Sequence, residues 1–388
     1  MRIAIDARFI NPENRGLACY TKHLVYGLSE IDEKNDYYIL LRDKDYHITH
    51  FQNKNFHKIR AEAHWYGLKE QIIIPLILKK IKPNVTHFPH FNVPILWRKP
   101  FITTIHDLIL FAFPTKKATN LSKIGYFIKE KGYFLTINHA LRKSRLIISV
   151  SNSTAKDIHR YFPRVNPKKI KTVYEGAGET NPEDISKFAK FDQKKRQEWL
   201  QKELSIPPGP FILYLGGAYP HKNLERLSIA FCNIYPKLKE KTNLIIAGGD
   251  DFFFQRLKGF IKKNKIKNVI LPGFIKDRKT LEFLYQESLF CIFPSLYEGF
   301  GLPPLEALKR KKLVLCSHST SFPEILQDKA IYFDGNSTLD IGEKIVETIK
   351  NKSVLEERML KDSENFLKNY SWKKMARETL RLYGEAVN

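Results

Sequence analysis

The sequence predicts an α/β protein made of two Rossmann-like domains in tandem. Three observations predict it. The 388 residues, 43% of them hydrophobic, exceed one ordinary core and suffice for two. Short β-branched runs alternate with helical patterns, the signature of a parallel sheet covered on both faces. The alternation breaks once, between Gly176 and Pro210, and then restarts.

Taken in order, strands are expected at residues 3–6, 37–41, 101–105, 146–150 and 171–174. Helices fall between them: one over 17–28 begins just after Gly16, and Ser153 followed by Asp157 reads as an N-capped helix running to Tyr161. From Gly176 the composition turns acidic, then strongly charged at 193–196, then Pro/Gly-rich at 206–210. A linker over 181–209 is placed there, after a first domain of 1–180. The second domain, 210–370, has strands at 211–215, 243–247, 269–271, 289–293 and 313–317, with a helix from Asn223. Terminal helices run from Val354 to about Val387, and 371–388, carrying Trp372 and Tyr383, are expected to cross to the first domain, set against ordinary packing within the second. Two such domains put the carboxyl ends of both sheets on either side of one central cleft, where ligands bind in open α/β folds.

Composition narrows the function classes. The start, MRIAIDARFI, alternates like a strand and lacks the apolar stretch and cleavage site of a secretory signal. The longest apolar run, residues 72–78, contains Pro75 and falls far short of the roughly 20 residues that span a bilayer. Cys19, Cys232, Cys291 and Cys316 form no paired spacing, so neither a disulfide framework nor a zinc site is expected, and a reducing cytoplasm fits. The net charge of +24 is weighted to the first half, where 30 Lys+Arg stand against 15 Asp+Glu through residue 180. That charge attracts polyanions without choosing among them. No zinc-finger or RNP signature supports nucleic acid as a partner. Aromatics between lysines of 116–145, namely Tyr126, Phe127, Tyr133 and Phe134, suggest peripheral contact with anionic membrane, set against a solvated and partly packed helix.

The most informative stretch is Pro294-Ser-Leu-Tyr-Glu-Gly-Phe-Gly-Leu-Pro-Pro-Leu-Glu306. It follows an apolar strand and enters a helix started by Pro303 and Pro304, residues suited to a first turn because proline has no N–H to leave unpaired. Gly299 and Gly301 let backbone amides approach a ligand, and a helix N-terminus favours anionic phosphate. Glu298 lies in the loop. Glu306 lies on the helix, where a carboxylate can accept hydrogen bonds from the vicinal hydroxyls of a ribose.

Glu298 and Glu306, enclosing Gly-Phe-Gly-Leu-Pro, resemble the signature of the family 4 retaining glycosyltransferases, and the likeness covers nearly the whole chain. The resemblance implies the GT-B fold, two Rossmann-like domains facing a cleft. It also implies donor contacts from Glu298, Gly299, Phe300, Gly301, Leu302 and Glu306. Tyr214-Leu-Gly-Gly-Ala-Tyr-Pro-His-Lys-Asn223 is a second match. There Lys222 resembles the family's phosphate-binding lysine, and Gly217 stands where many members carry an arginine. The plain alternative is an exposed lysine at a helix start. Gly16 resembles the glycine that contacts the donor phosphate, although Ala18 and Cys19 replace the second glycine and arginine of the usual pattern. Thr103-Thr-Ile-His106-Asp107 resembles the His-Asp dipeptide whose histidine meets the donor sugar and the transition state, against the reading of a packing histidine.

The resemblance therefore implies His106, Lys222 and Glu298 as catalytic residues, no metal, and no cofactor beyond the sugar nucleotide. His87-Phe-Pro-His90 lacks a third ligand, and Asp43-Lys-Asp45 reads as solvated loop charge. The Tyr-Pro-His-Lys-Asn and His-Phe-Pro-His-Phe-Asn-Val-Pro runs are similar to those of bacterial mannosyltransferase-like enzymes of surface polysaccharide assembly, which favours GDP-mannose over UDP sugars. The acceptor expected is a glycan or lipid-linked sugar at the inner face of the membrane. A nucleotide-sugar epimerase of the same fold and a non-catalytic polyanion-binding protein are the rival readings.

Overall fold

The computed structural model describes residues 1–11, 15–113, 123–178 and 191–387, with the backbone alone at 15 and 123–130. The chain divides into two compact units, one of 1–112, 119–176 and 369–388, the other of 113–118 and 177–368. Residues 181–190 of the expected linker lie outside the described residues.

In the first unit seven parallel strands are ordered β3-β2-β1-β4-β5-β6-β7: β1 Arg2–Asp6, β2 Asp36–Leu41, β3 Phe56–Arg60, β4 Val85–Phe88, β5 Phe101–Ile105, β6 Leu146–Ser149 and β7 Ile170–Thr172. The second unit orders six parallel strands β10-β9-β8-β11-β12-β13: β8 Phe211–Leu215, β9 Asn243–Ala247, β10 Val269–Gly273, β11 Cys291–Phe293, β12 Val314–Ser317 and β13 Ile331–Phe333. The central strands β5, β9 and β12 are buried along their whole length, as strands covered by helices on both faces must be. β3, β4 and β13 were not anticipated. β3 and β13 close the edges of their sheets, and β3, Phe-His-Lys-Ile-Arg, keeps charge where one side meets water. In β4 the buried His87 and Thr86 broke the apolar pattern that marks a strand.

Local details correct several expectations. The helix read from Ser153 is Asn152–Tyr161, capped by Ser151, whose Oγ accepts from the Thr154 N–H at 3.0 Å. Gly16 does not precede its helix but sits exposed in the first turn of Arg15–Ile31. Residues 193–204, placed in the linker, form a helix of the second unit, capped by Asp192 and packing Trp199 edge-on to Phe283 at 5.2 Å. The proline-rich stretch marks only where that helix has ended. Asp45 is not a solvated loop charge: it is buried in the short helix Asp43–Tyr46 and accepts from Asn11 Nδ2 at 3.0 Å.

The helix Trp372–Val387 is part of the first unit. Trp372 stacks on His23 with ring centroids 4.4 Å apart, and Gly27 leaves the room that Ala376 fills. Inside, the Tyr383 hydroxyl is 2.7 Å from His87 Nδ1, and His87 Nε2 is 2.9 Å from Thr104 Oγ1. Burial pushes His87 down to about 3, so a neutral ring serves as a structural partner. No group of three metal-ligating side chains occurs among the described residues, and no helix there is long and apolar enough to cross a membrane.

Candidate active site

In the second unit the strand order reverses at β8, which has β9 on one side and β11 on the other. Ligands of open parallel sheets bind outside the carboxyl ends of the strands flanking such a reversal. The loops leaving β8 and β11 are the two the sequence singled out. Asn223 joins them: its Nδ2 donates to the carbonyls of Pro294 at 3.1 Å and Gly335 at 2.7 Å. The Leu296 N–H donates to the His221 carbonyl at 2.8 Å.

This seam brings Lys222 and Glu298 into contact, Nζ donating to Oε1 at 2.6 Å. Lys222 closes the 3-10 turn Pro220–Lys222, and the helix proper starts at Leu224. The Glu298 backbone is fixed from a third loop: its N–H donates to Thr320 Oγ1 at 2.9 Å, and Ser321 Oγ donates to the carbonyls of Glu298 at 3.1 Å and Phe300 at 2.8 Å. Burial opposes ionisation of Glu298, but the Lys222 ammonium, its hydrogen bond and that of Ser295 outweigh burial and hold the carboxyl below its ordinary range. Burial and the Lys222 charge push the neighbouring His221 down to about 4.

Past Glu298 the chain runs through Gly299 and the buried Phe300 to Gly301, which stands at φ +107° before the helix Leu302–Lys309. A Cβ at Gly301 would meet the Phe322 ring at 2.8 Å, so both conformation and space require glycine. Pro303 and Pro304 occupy the first turn. Glu306 follows, half-buried, with the Tyr285 hydroxyl 3.5 Å from Oε2. Behind it Arg310 clasps Glu282, donates Nη1 to the Glu306 carbonyl at 2.9 Å and lies over the Tyr285 ring at 4.4 Å. Burial raises the Glu306 carboxyl above its ordinary range, with Arg310 partly countering. Gly178 lies so close that a Cβ there would stand 2.6 Å from Glu306 Oε1. Gly217, in the turn after β8, accepts the Tyr214 hydroxyl at 2.8 Å through its carbonyl.

In the first unit His106 leaves β5 with both ring nitrogens engaged, Nδ1 3.1 Å from Glu175 Oε1 and Nε2 2.8 Å from the Pro89 carbonyl. Burial disfavours its charge, yet the two acceptors and the Glu175 carboxylate raise its pKa overall. Tyr20 meets the ring edge-on at 4.7 Å. Gly16 is exposed on the helix after β1, and residues 12–14 of its loop lie outside the described residues.

Sequence reasoning missed the supporting shell: Asn223, Thr320, Ser321, Tyr285, Arg310 with Glu282, Gly178, and Glu175. Asn223 ends a quoted motif. Arg310 lies one helical turn beyond Glu306, whose carbonyl it meets, while the rest are distant in sequence from what they support and follow no local pattern.

Residues 38–177 match a family model described as Glycosyltransferase Family 4, and residues 195–366 one described as Glycosyl transferases group 1. O-antigen chain mannosyltransferase B of Escherichia coli is 25% identical over 310 residues, covering 79% of this chain and 75% of that protein. Among solved structures, sucrose-phosphate synthase from Thermosynechococcus elongatus aligns with a TM-score of 0.73 at 16% identity over 99% of this chain and 98% of that one. Anabaena HepE in complex with UDP-glucose aligns with a TM-score of 0.70 at 13% identity over 99% and 100%.

Proposed function

The chain belongs to the family 4 glycosyltransferases and has their GT-B fold, and from that premise we propose that it transfers mannose from GDP-mannose to a glycan or lipid-linked acceptor, retaining anomeric configuration. One observation carries the reading: the loops leaving β8 and β11, at the reversal point of the second sheet, hold Lys222 against Glu298 at the entrance of the helix that bears Glu306. A cation with loop amides at a helix start matches a diphosphate, Glu298 a sugar hydroxyl, and the carboxylate on that helix a ribose.

In this mechanism the donor C1–O bond loosens to an oxocarbenium-like state, and the acceptor hydroxyl attacks from the face the diphosphate leaves. The acceptor O–C1 bond forms, the electron pair of the broken bond goes to the diphosphate, and the hydroxyl proton follows it. Lys222 offsets the charge growing on the diphosphate, with the amides of 299–302 beside it. Glu298 holds Lys222 in place and receives a sugar hydroxyl. His106, whose pKa is lowered by burial but raised overall by Glu175 and the Pro89 carbonyl, is assigned to the charge developing on the diphosphate. No further cofactor takes part. The mannosyl preference rests on the likeness to the E. coli O-antigen enzyme, and a UDP sugar, as in the structurally similar HepE, is the alternative donor.

A thermal-shift panel of sugar nucleotides tests this. GDP-mannose at a hundredfold excess over its Kd stabilises by about 2.7 kcal/mol; a chain that no GDP or UDP sugar shifts is not this enzyme.

A further inference from the structure

The helix Leu68–Ile81 of the first unit turns Ile74, Pro75, Leu78 and Ile81 inward. Its outward row, one residue in four, is Leu68, Ile72, Leu76 and Lys80, and the three apolar members are 87%, 58% and 52% exposed. A soluble helix ordinarily carries polar residues on that row. The ridge is widened by Ile95 and Leu96, both exposed, whose loop is tied to the helix by the Ile95 N–H donating to Gln71 Oε1 at 2.7 Å.

The exposed charge that residues 66–100 bring to the ridge has one sign. Lys69, Lys79 and Lys80 are exposed on the helix, and Arg98 and Lys99 are exposed just after Leu96. The sole acid in residues 66–100, Glu70, is buried against Arg8 at 2.5 Å. An apolar ridge flanked along residues 66–100 by exposed cations suits neither water nor a second copy of itself, since self-pairing would bring lysines face to face. It suits a bilayer surface, where short apolar side chains enter between headgroups and long cationic ones reach the phosphates.

Of the aromatics between the lysines of 116–145, Tyr133 is turned inward, while Phe134 remains 43% exposed. Tyr133 packs on Phe91 at 4.8 Å and Phe111 at 5.3 Å, within the first unit's core, and Phe134 stacks on Phe162 at 6.0 Å. Tyr126 and Phe127 lie outside the described side chains.

We infer that the outward face of Leu68–Ile81, with Ile95 and Leu96, docks the protein on anionic phospholipid. The interaction needs no sugar nucleotide, so it stands or falls apart from the donor assignment.

Flotation of the full chain with equimolar phosphatidylglycerol–phosphatidylcholine vesicles, against phosphatidylcholine alone, reads the effect. Binding is expected to the anionic vesicles only, weakening as salt rises. The triple variant Leu68→Ser, Ile72→Ser, Leu76→Ser and the separate charge variant Lys79→Glu, Lys80→Glu are each expected to bind at least about tenfold more weakly, because each removes one of the two contributions to interfacial binding. Donor-induced thermal shifts are expected to be unchanged in both. Failure of the wild-type chain to float at low salt overturns the inference. So does wild-type binding by both variants, or a concentration-dependent dimer that the triple variant abolishes. Capture of an acidic protein without vesicle binding overturns it as well.

Discussion

Lys222 Nζ and Glu298 Oε1 stand 2.6 Å apart, each side chain about one-fifth exposed, although 76 residues separate them in the chain. Neither is held by its own loop alone: Asn223 and the Leu296–His221 bond bring the two loops together. Removing the ammonium leaves a half-buried carboxylate without its counter-charge and a departing diphosphate without its cation. Lys222→Ala is expected to lower kcat by about a hundredfold or more, with a smaller effect on donor affinity. Steady-state kinetics with donor varied checks it; a change confined to KM would assign Lys222 to ground-state binding instead.

Glu306 is held above the ordinary carboxylate range by burial. Its ionised form is the better acceptor for ribose hydroxyls, so donor affinity is full above that raised pKa and falls as pH drops through it, earlier than an ordinary carboxylate would dictate. Glu306→Gln is expected to flatten this pH dependence and to weaken donor binding by about 1.5–3 kcal/mol, the range for a hydrogen bond to a charged group. Calorimetric titration across pH reads both.

His106 has a folded-state pKa above its ordinary 6.5, with Glu175 as the favourable partner. A group whose pKa rises on folding adds stability that is complete below the unfolded value and fades as pH climbs through the folded one. The stability difference between wild type and His106→Gln is therefore expected to be widest on the acid side of 6.5 and to shrink towards alkaline pH. Denaturant titrations at several pH values measure it, and a constant difference would mean the ring stays neutral.

Gly301 combines φ +107° with the Phe322 ring in the place of a Cβ. Gly301→Val is expected to cost about 1–3 kcal/mol of stability and to misplace the amides of 299–302. Thermal melts with and without donor separate the two effects.

The Tyr383 hydroxyl is the partner of a buried His87 nitrogen. Tyr383→Phe leaves that nitrogen unsatisfied and is expected to cost about 1–3 kcal/mol, seen in chemical denaturation.

What could be read from the sequence was local. Strand, glycine turn, helix and acid spacing are written within a dozen residues, so Lys222, Glu298 and Glu306 stand out as candidates from the sequence alone. What stayed hidden depends on distance along the chain. Arg310 reaches Glu282 across 28 residues and Glu175 reaches His106 across 69, and no periodicity records such pairs. Asp45 looked solvated because charge normally is; Asn11, 34 residues earlier, provides the hydrogen bond that permits its burial. β4 hid behind His87, whose partner Tyr383 lies 296 residues away.

That last pairing has a bearing on how the protein is made. Residues 372–387 leave the ribosome only after the whole second unit, yet they cover Gly27 and His87 of the first. The sheet synthesised first must wait, its helix Arg15–Ile31 uncovered, until translation has passed Trp372. A premature stop anywhere in the second half would therefore injure the first, and chaperone demand on the nascent chain should peak late.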